Sequence, residues 1–267
     1  MRLFKSFDIV CSRRKHLGGN DMLSCQNIEK NYGAKQVLKN INFQVGDGEF
    51  IGIMGPSGSG KTTLLNLIST IDQPTSGEIL INNQDPHQLN PEQLARFRRQ
   101  ELGMVFQDFN LMYTLTVEEN IVLPMTLDNA PLKKMEASVK ALAQELNISE
   151  ILPKRVYEIS GGQAQRAAIA RAMIQQPALL LADEPTGNLD TKASRDVMHL
   201  LRNLNQVHGI TVLMVTHDPK DASYCDRVIF IQDGELNRTL TKQDSQQQFY
   251  HQVIETLADM EGTDNEF

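Results

Sequence analysis

A chain of 267 residues, 40% hydrophobic and 22% charged, has the composition of a protein that buries a core in one large α/β domain or two small ones. Its formal net charge of −7 argues against nucleic acid as the main partner, because neutralising phosphates needs clustered Lys and Arg. No run approaches about 18 consecutive apolar residues, so no membrane span is expected, and the opening residues lack the apolar core of a secretory signal.

Residues 1–21 read as an N-terminal extension without core-forming pattern, expected to be disordered, that breaks at Gly18-Gly19-Asn20-Asp21. Strand signals follow from Leu23 to Ile28 and in Ile41-Asn42-Phe43-Gln44-Val45, whose alternation predicts a half-buried strand. The turn Gly46-Asp47-Gly48 leads into another strand, and Gly77 to Asn82 closes this first block. From Asn90 the period turns helical, with Asn90 as cap, Pro91 in the first turn, and Leu94 and Phe97 on one face. Two more helical patterns lie in 116–146, the second from about Lys134 to Leu146, and this helical insert spans approximately 90–158.

A second α/β block begins with Ala178-Leu179-Leu180-Leu181-Ala182, too short for a helix and read as a fully buried strand. Thr191 to Val207 is predicted as a helix with Ala193, Val197, Leu200, Leu201 and Leu204 in one stripe, stopped by Gly209. Ile210 to Val215 and Val228 to Ile231 complete the sheet. The tail, 238–267, is expected to be helical from about Thr241, with Phe249, Val253 and Leu257 at i, i+4, i+8. Cys11, Cys25 and Cys225 lack metal-like spacing and fit free thiols in a reducing cytoplasm, Cys25 as a small buried filler.

The chemistry is concentrated in Gly55-Pro56-Ser57-Gly58-Ser59-Gly60-Lys61-Thr62-Thr63. This G-x-x-x-x-G-K-T spacing, between a strand and a helix, lets successive backbone N–H groups turn inward on a triphosphate. Lys61 reaches the β- and γ-oxygens, the Thr62 hydroxyl can ligate Mg²⁺, and the helix adds its positive dipole end. Asp183-Glu184 follows the buried strand, where open α/β sheets bind ligands; Asp183 suits Mg²⁺ held through water and Glu184 an attacking water. His217 follows the next strand and is expected near Glu184, whereas His16, His87, His199, His208 and His251 read as structural or exposed. Ser160 caps an alanine-rich helix whose Gly161 and Gly162, before Gln163, leave the first N–H groups uncovered as a second anion site. One triphosphate tail has no evident use for two such sites, which points to a site shared between two molecules.

With Gln107 in Phe106-Gln107-Asp108, Tyr32 in Asn31-Tyr32-Gly33 and the Gly187-Asn188-Leu189-Asp190 loop, these motifs over residues 22–237 resemble the ATPase subunit of an ATP-binding cassette transporter. The two departures, Ile159 where leucine is commoner and Asn188 where alanine often sits, remove no reactive group. The resemblance implies a P-loop NTPase core of α/β class with an antiparallel β subdomain and an inserted α-helical subdomain. It implies ATP and Mg²⁺ as cofactors and a head-to-tail homodimer with two sandwiched ATP molecules. Tyr32 would stack on adenine, Ser160, Gly161, Gly162 and Gln163 would serve the partner's nucleotide, and Thr62, Gln107 and Asp183 would serve the metal. Glu184 would polarise water, with His217 on the γ-phosphate. The work would pass to a separate permease on the cytoplasmic face of a bacterial membrane, docking near Phe109, Leu111, Met112 and Tyr113.

Glu184-Pro185-Thr186-Gly187-Asn188-Leu189-Asp190 resembles the lipoprotein-release, macrolide-export and peptide-resistance branch. Within it, Gln107 to Leu111, Thr114 to Ile121 and Val215 to Pro219 are similar to bacitracin-type resistance ATPases, with lipoprotein release or macrolide export as the alternative. A soluble cassette acting on DNA or ribosomes is disfavoured, since no long coiled coil or second cassette is present. A non-hydrolysing binding module is disfavoured by Glu184 and His217.

Overall fold

A computed structural model describes residues 21–263, so the expected extension, apart from Asp21, and Cys11 and His16 with it, lies outside the described residues. In chain order come β1 (Asp21–Tyr32), β2 (Lys35–Gly46), β3 (Phe50–Met54), α1 (Lys61–Ile68), β4 (Ser76–Ile81), α2 (Pro91–Glu101) and β5 (Leu102–Val105). Then come α3 (Val117–Leu127), α4 (Leu132–Glu145), α5 (Gly161–Met173), β6 (Leu179–Asp183), α6 (Thr191–His208) and β7 (Thr211–Val215). The chain ends with α7 (Pro219–Ala222), β8 (Arg227–Gln232), β9 (Glu235–Thr241) and α8 (Gln246–Thr263). The elements form two compact units, one from Asp21–Leu89 with the chain from Thr211 onward, the other Asn90–Ile210.

In the discontinuous unit, an antiparallel sheet runs β2-β1-β4, and parallel β7-β3-β8 carries β9 antiparallel on the β8 side. The alternation at 41–45 is realised, with Ile41, Phe43 and Val45 buried and Asn42 and Gln44 exposed. Every residue of β3 and β7 is buried, as expected of parallel strands covered on both faces. Each such Ile, Val or Leu contributes about 1.5–3 kcal/mol on burial. The sheet does not finish at Ile231: Asp233 and Gly234 both take positive φ (51° and 80°) in a two-residue hairpin that folds β9 back on β8. An Asp-Gly pair is a strong hairpin signal, but β9 is mostly exposed and polar and shows no apolar alternation. The tail helix therefore begins at Gln246, and its buried face is Phe249, Val253, Thr256 and Met260, with Leu257 only half-buried. Cys25 and Cys225 are buried and outside any disulfide, and burial pushes the Cys25 thiol well above the usual range.

In the continuous unit, α2 starts as expected, with Asn90 and Gln93 in a reciprocal capping box and Phe97 buried. The stretch expected to be helical from 90 to 158 is interrupted by β5, which pairs parallel with β6 in the register Leu102↔Leu179 to Val105↔Ala182. Four residues that directly follow a helix show no period of their own. Gly103 lies so close to α5 that a Cβ would sit 2.8 Å from the Ala172 carbonyl oxygen. The alanines Ala164, Ala167, Ala168 and Ala170 of α5 are all buried, allowing that approach. Helix α6 buries Val197, Met198, Leu201 and Leu204, while Ala193 and Leu200 of the expected stripe are half-buried. It ends at Gly209 in the left-handed region (φ 66°), and Asn205 Nδ2 donates to the Ile210 carbonyl at 2.8 Å.

Candidate nucleotide site

The buried strand β3 delivers the chain into the loop Gly55–Gly60, and α1 begins at Lys61. Gly55 has φ 153°, and a Cβ there would lie 2.0 Å from the Ile231 carbonyl oxygen, so the loop leaves β3 against the end of β8. Gly60, at φ 106°, occupies the cap position of α1, and no side chain of the described residues caps the helix. Backbone N–H groups at its first turn are thus left for an anion, at the positive end of the helix dipole. Lys61 is buried, and its Nζ donates to the Gly55 and Pro56 carbonyls at 2.9 and 2.8 Å. Ser59 Oγ is buried with no hydrogen-bond partner among the described residues. Pro56, Ser57, Gly58 and Thr62 are exposed, and Thr63 is half-buried. An uncapped helix start, an unpartnered hydroxyl and a folded-in lysine together fit a phosphate chain.

Tyr32, the last residue of β1, is 49% exposed. Its hydroxyl donates to Asp72 Oδ2 at 2.6 Å, and this bond holds the phenol above its ordinary pKa. His217 is exposed just past β7. Its neighbours are fixed: Asp218 N donates to Thr216 Oγ1 at 3.0 Å, and the Asp218 side chain caps α7.

In the continuous unit, the Val105↔Ala182 pairing puts the ends of β5 and β6 side by side. Gln107, two residues past one strand, and Asp183-Glu184, at the end of the other, therefore issue from one edge, all half-buried. Glu184 takes a left-handed backbone (φ 44°), uncommon for a carboxylate residue, in a turn closed by Gly187 N donating to the Glu184 carbonyl at 3.0 Å. Gln165, fully buried in α5, donates from Nε2 to the carbonyls of both Phe106 and Pro185, at 3.3 and 2.5 Å. One amide thus ties the chain before Gln107 to the chain after Glu184. Asn188 binds the same region through Gln107 and Asp108. Neither contact has a sequence signal, because it joins segments far apart in the chain.

Ser160 caps α5 in a capping box: its Oγ accepts from Gln163 N at 3.3 Å and its N donates to Gln163 Oε1 at 3.0 Å. Gln163 therefore has its backbone donor occupied, and the open donors of the helix start narrow to Gly161 and Gly162. A Cβ on Gly162 would lie 3.1 Å from Ala193 Cβ, so glycine there lets α5 approach α6. Of the aromatic and apolar group after Gln107, Leu111 is buried core, a correction to its expected surface role, while Met112 and Tyr113 are exposed. Asn120, buried in α3, holds this segment: its Oδ1 accepts from Met112 N at 2.7 Å and its Nδ2 donates to Met112 O at 3.0 Å.

The family model for ABC transporters matches residues 38–187. The chain is 54% identical over 249 residues to the ABC transporter ATP-binding protein YxdL of Bacillus subtilis, covering 92% of this chain and 97% of that protein. It is 47% identical over 250 residues to the bacitracin export ATP-binding protein BceA of Halalkalibacterium halodurans, covering 92% and 99%. Among solved structures it resembles the ATP-binding cassette MJ0796 of Methanocaldococcus jannaschii in a dimeric post-hydrolysis state bound to ADP and Pi. That match has a TM-score of 0.75 and 38% identity over 82% of this chain and 98% of that one. With the phosphate loop, the β6 carboxylates and the capped α5 all inside or flanked by these matches, the chain belongs to the ABC transporter family, as an ATP-hydrolysing ATPase subunit.

Proposed function

We propose that the chain drives a separate membrane permease for a peptide antibiotic of the bacitracin type, as a homodimer with two ATP molecules at its interface. The observation that carries the substrate class is the end-to-end similarity to a bacitracin export ATP-binding protein, which leaves almost no part of either chain unmatched. The dimer is supported by the second helix start at Ser160–Gly162 and by the dimeric cassette relative. Among the described residues no helix is long and apolar enough to cross a membrane, and a separate permease is supported by the ATP-binding relatives of which this chain covers 97% and 99%. The ATPase domain begins at residue 22 and runs past the expected boundary at 237 to the end of β9 at Thr241, with α8 as the appended tail. The permease would meet the exposed Met112 and Tyr113, holding the ATPase at the cytoplasmic face of a bacterial membrane.

Phosphoryl transfer is mainly positioning and charge stabilisation. The loop Gly55–Thr63 holds the phosphates, and Lys61 turns from the Gly55 and Pro56 carbonyls to the β- and γ-oxygens. Tyr32 stacks on adenine. Thr62, Gln107 and Asp183 offer only hard oxygen donors, and no cluster of three His, Cys, Asp or Glu among the described residues could cage a metal alone. That donor set suits Mg²⁺, which, when bound, offsets phosphate charge. Glu184 orients and deprotonates the attacking water, and His217 contacts the γ-phosphate. Gly161 and Gly162 serve the nucleotide of the second copy with their open backbone donors, and the capping box of Ser160 and Gln163 fixes the helix start that presents them.

Co-expression with a bacitracin-type permease in a sensitive host tests the substrate class. Resistance to bacitracin should rise, with macrolide sensitivity and lipoprotein release unchanged. Macrolide resistance or altered lipoprotein release, without bacitracin resistance, would assign the chain to the other branch.

A further inference from the structure

Tyr32 is tethered far more firmly than packing of a half-exposed ring requires. Its hydroxyl donates to Asp72 Oδ2 at 2.6 Å. Lys30 Nζ stands over one face of the ring, 4.8 Å from its centroid. Asp72 is held in turn: Lys30 Nζ donates to its Oδ1 at 2.7 Å, and Gln73 N donates to Oδ1 at 2.7 Å. Lys30 is itself buried and also donates to the Gln73 carbonyl at 2.7 Å.

The Asp72 anchor sits at the far end of the helix that opens at the phosphate loop. Asp72 lies just past the last residue of α1, Ile68, with Asp72 N donating to the Asn66 carbonyl at 3.1 Å. The ring is therefore referenced to the element that begins at the phosphates. A cation over one face leaves the opposite face of the ring to meet a flat base. An aromatic with two free side-chain torsions would lose that freedom on stacking; a tethered one has lost it beforehand.

We propose that Asp72, together with Lys30, is a positioning residue that sets Tyr32 as a rigid platform for the nucleobase at a fixed distance from the phosphate loop. This rests on the reading of Tyr32 as the base-stacking residue. Asp72 touches no nucleotide; it acts through the ring, so it should matter for ligands that carry a base and not for a bare phosphate chain.

Calorimetry with ATP and with inorganic tripolyphosphate separates the two. Asp72→Ala and Tyr32→Phe should each weaken ATP binding by roughly 3- to 10-fold, the loss expected from one tether, and leave tripolyphosphate affinity at the parental value. The double variant should be no worse than Asp72→Ala alone, because the Tyr32–Asp72 bond is already lost in that single variant. Tyr32→Phe keeps the Lys30–Asp72 pair, so it remains informative if Asp72→Ala folds poorly around an unpaired Lys30. Equal losses for ATP and tripolyphosphate would make the cluster a general support of the loop and overturn the proposal. So would parental ATP affinity in Tyr32→Phe when Tyr32→Ala has lost it. Parental ATP affinity in Tyr32→Ala would instead remove the stacking role itself.

Discussion

Asn188 holds Asp108: its Nδ2 donates to the Asp108 carboxylate at 2.6 Å and to the Gln107 carbonyl at 3.3 Å, while Gln107 Nε2 approaches Asn188 Oδ1 at 3.4 Å. The loop is pressed against that side chain, since a Cβ on Gly187 would lie 2.8 Å from Gln107 Nε2. The amide that distinguishes this chain from an alanine-bearing loop thus fixes the residue assigned to the metal. Asn188→Ala should lower the turnover rate by roughly 3- to 30-fold, the worth of one or two hydrogen bonds expressed in the transition state, with ATP affinity within about twofold. Steady-state hydrolysis and calorimetry check this, and a parental turnover rate would show that Gln107 holds its place without Asn188.

Gln165→Leu should destabilise the protein. The substitution leaves the Phe106 and Pro185 carbonyls without their shared donor in a buried setting, a cost of about 1–3 kcal/mol. The melting temperature should fall by about 2–10 °C. Because the same bonds set the chain on either side of Gln107 and Glu184, turnover should fall as well, more than Tm alone would explain. An unchanged melting temperature would mean that the helix–loop packing, not the amide, carries the geometry.

Lys61→Ala should abolish measurable ATP binding, because the loop would lose its positive side chain toward the β- and γ-phosphates. The Gly55 and Pro56 carbonyls that Lys61 Nζ now holds lie in a loop with exposed neighbours and can turn to water, so folding should survive. Calorimetry showing parental ATP affinity in a folded variant would refute the phosphate-loop assignment.

The Lys30–Asp72 pair gives a pH signature. Hydrogen bonding by Lys30, then by Tyr32, lowers the Asp72 carboxyl from an ordinary 3.8 to about 2. A depressed folded-state value stabilises the fold fully above the unfolded value and is lost as pH falls through the folded one. The melting-temperature gap between the parent and Asp72→Asn should therefore be level from about pH 5 to 8 and close between about pH 4 and 2. The gap should be small, because the carboxylate side chain is 31% exposed and water screens the pair. A gap that widens on acidification would contradict the assignment.

The phosphate loop was legible in sequence because backbone geometry dictates it: Gly55 and Gly60 stand where positive φ and close neighbours leave room for nothing else. Strands β3, β6 and β7 were legible because burial on both faces makes each a short unbroken apolar run. Strand β5 was not, since Leu102-Gly103-Met104-Val105 continues directly from α2 and is too short to show a period. The amides of Gln165 and Asn188 and the carboxylate of Asp72 escaped because each works across a long sequence gap, where neither periodicity nor motif spacing reaches. The Asp233-Gly234 turn was present in the sequence and marks β9 more clearly than the strand's own polar residues do.

In the proposed cycle, ATP closes two copies of this chain and hydrolysis at Glu184 releases them. Light scattering of purified Glu184→Gln, with and without ATP and Mg²⁺, tests it most directly. Glu184→Gln should be a monomer without nucleotide and a stable dimer with ATP, with turnover lowered by roughly 10²- to 10⁴-fold, the worth of a positioned base. A variant that stays monomeric at saturating ATP, or hydrolyses it within about threefold of the parental rate, would rule out ATP-driven closure with Glu184 as the base.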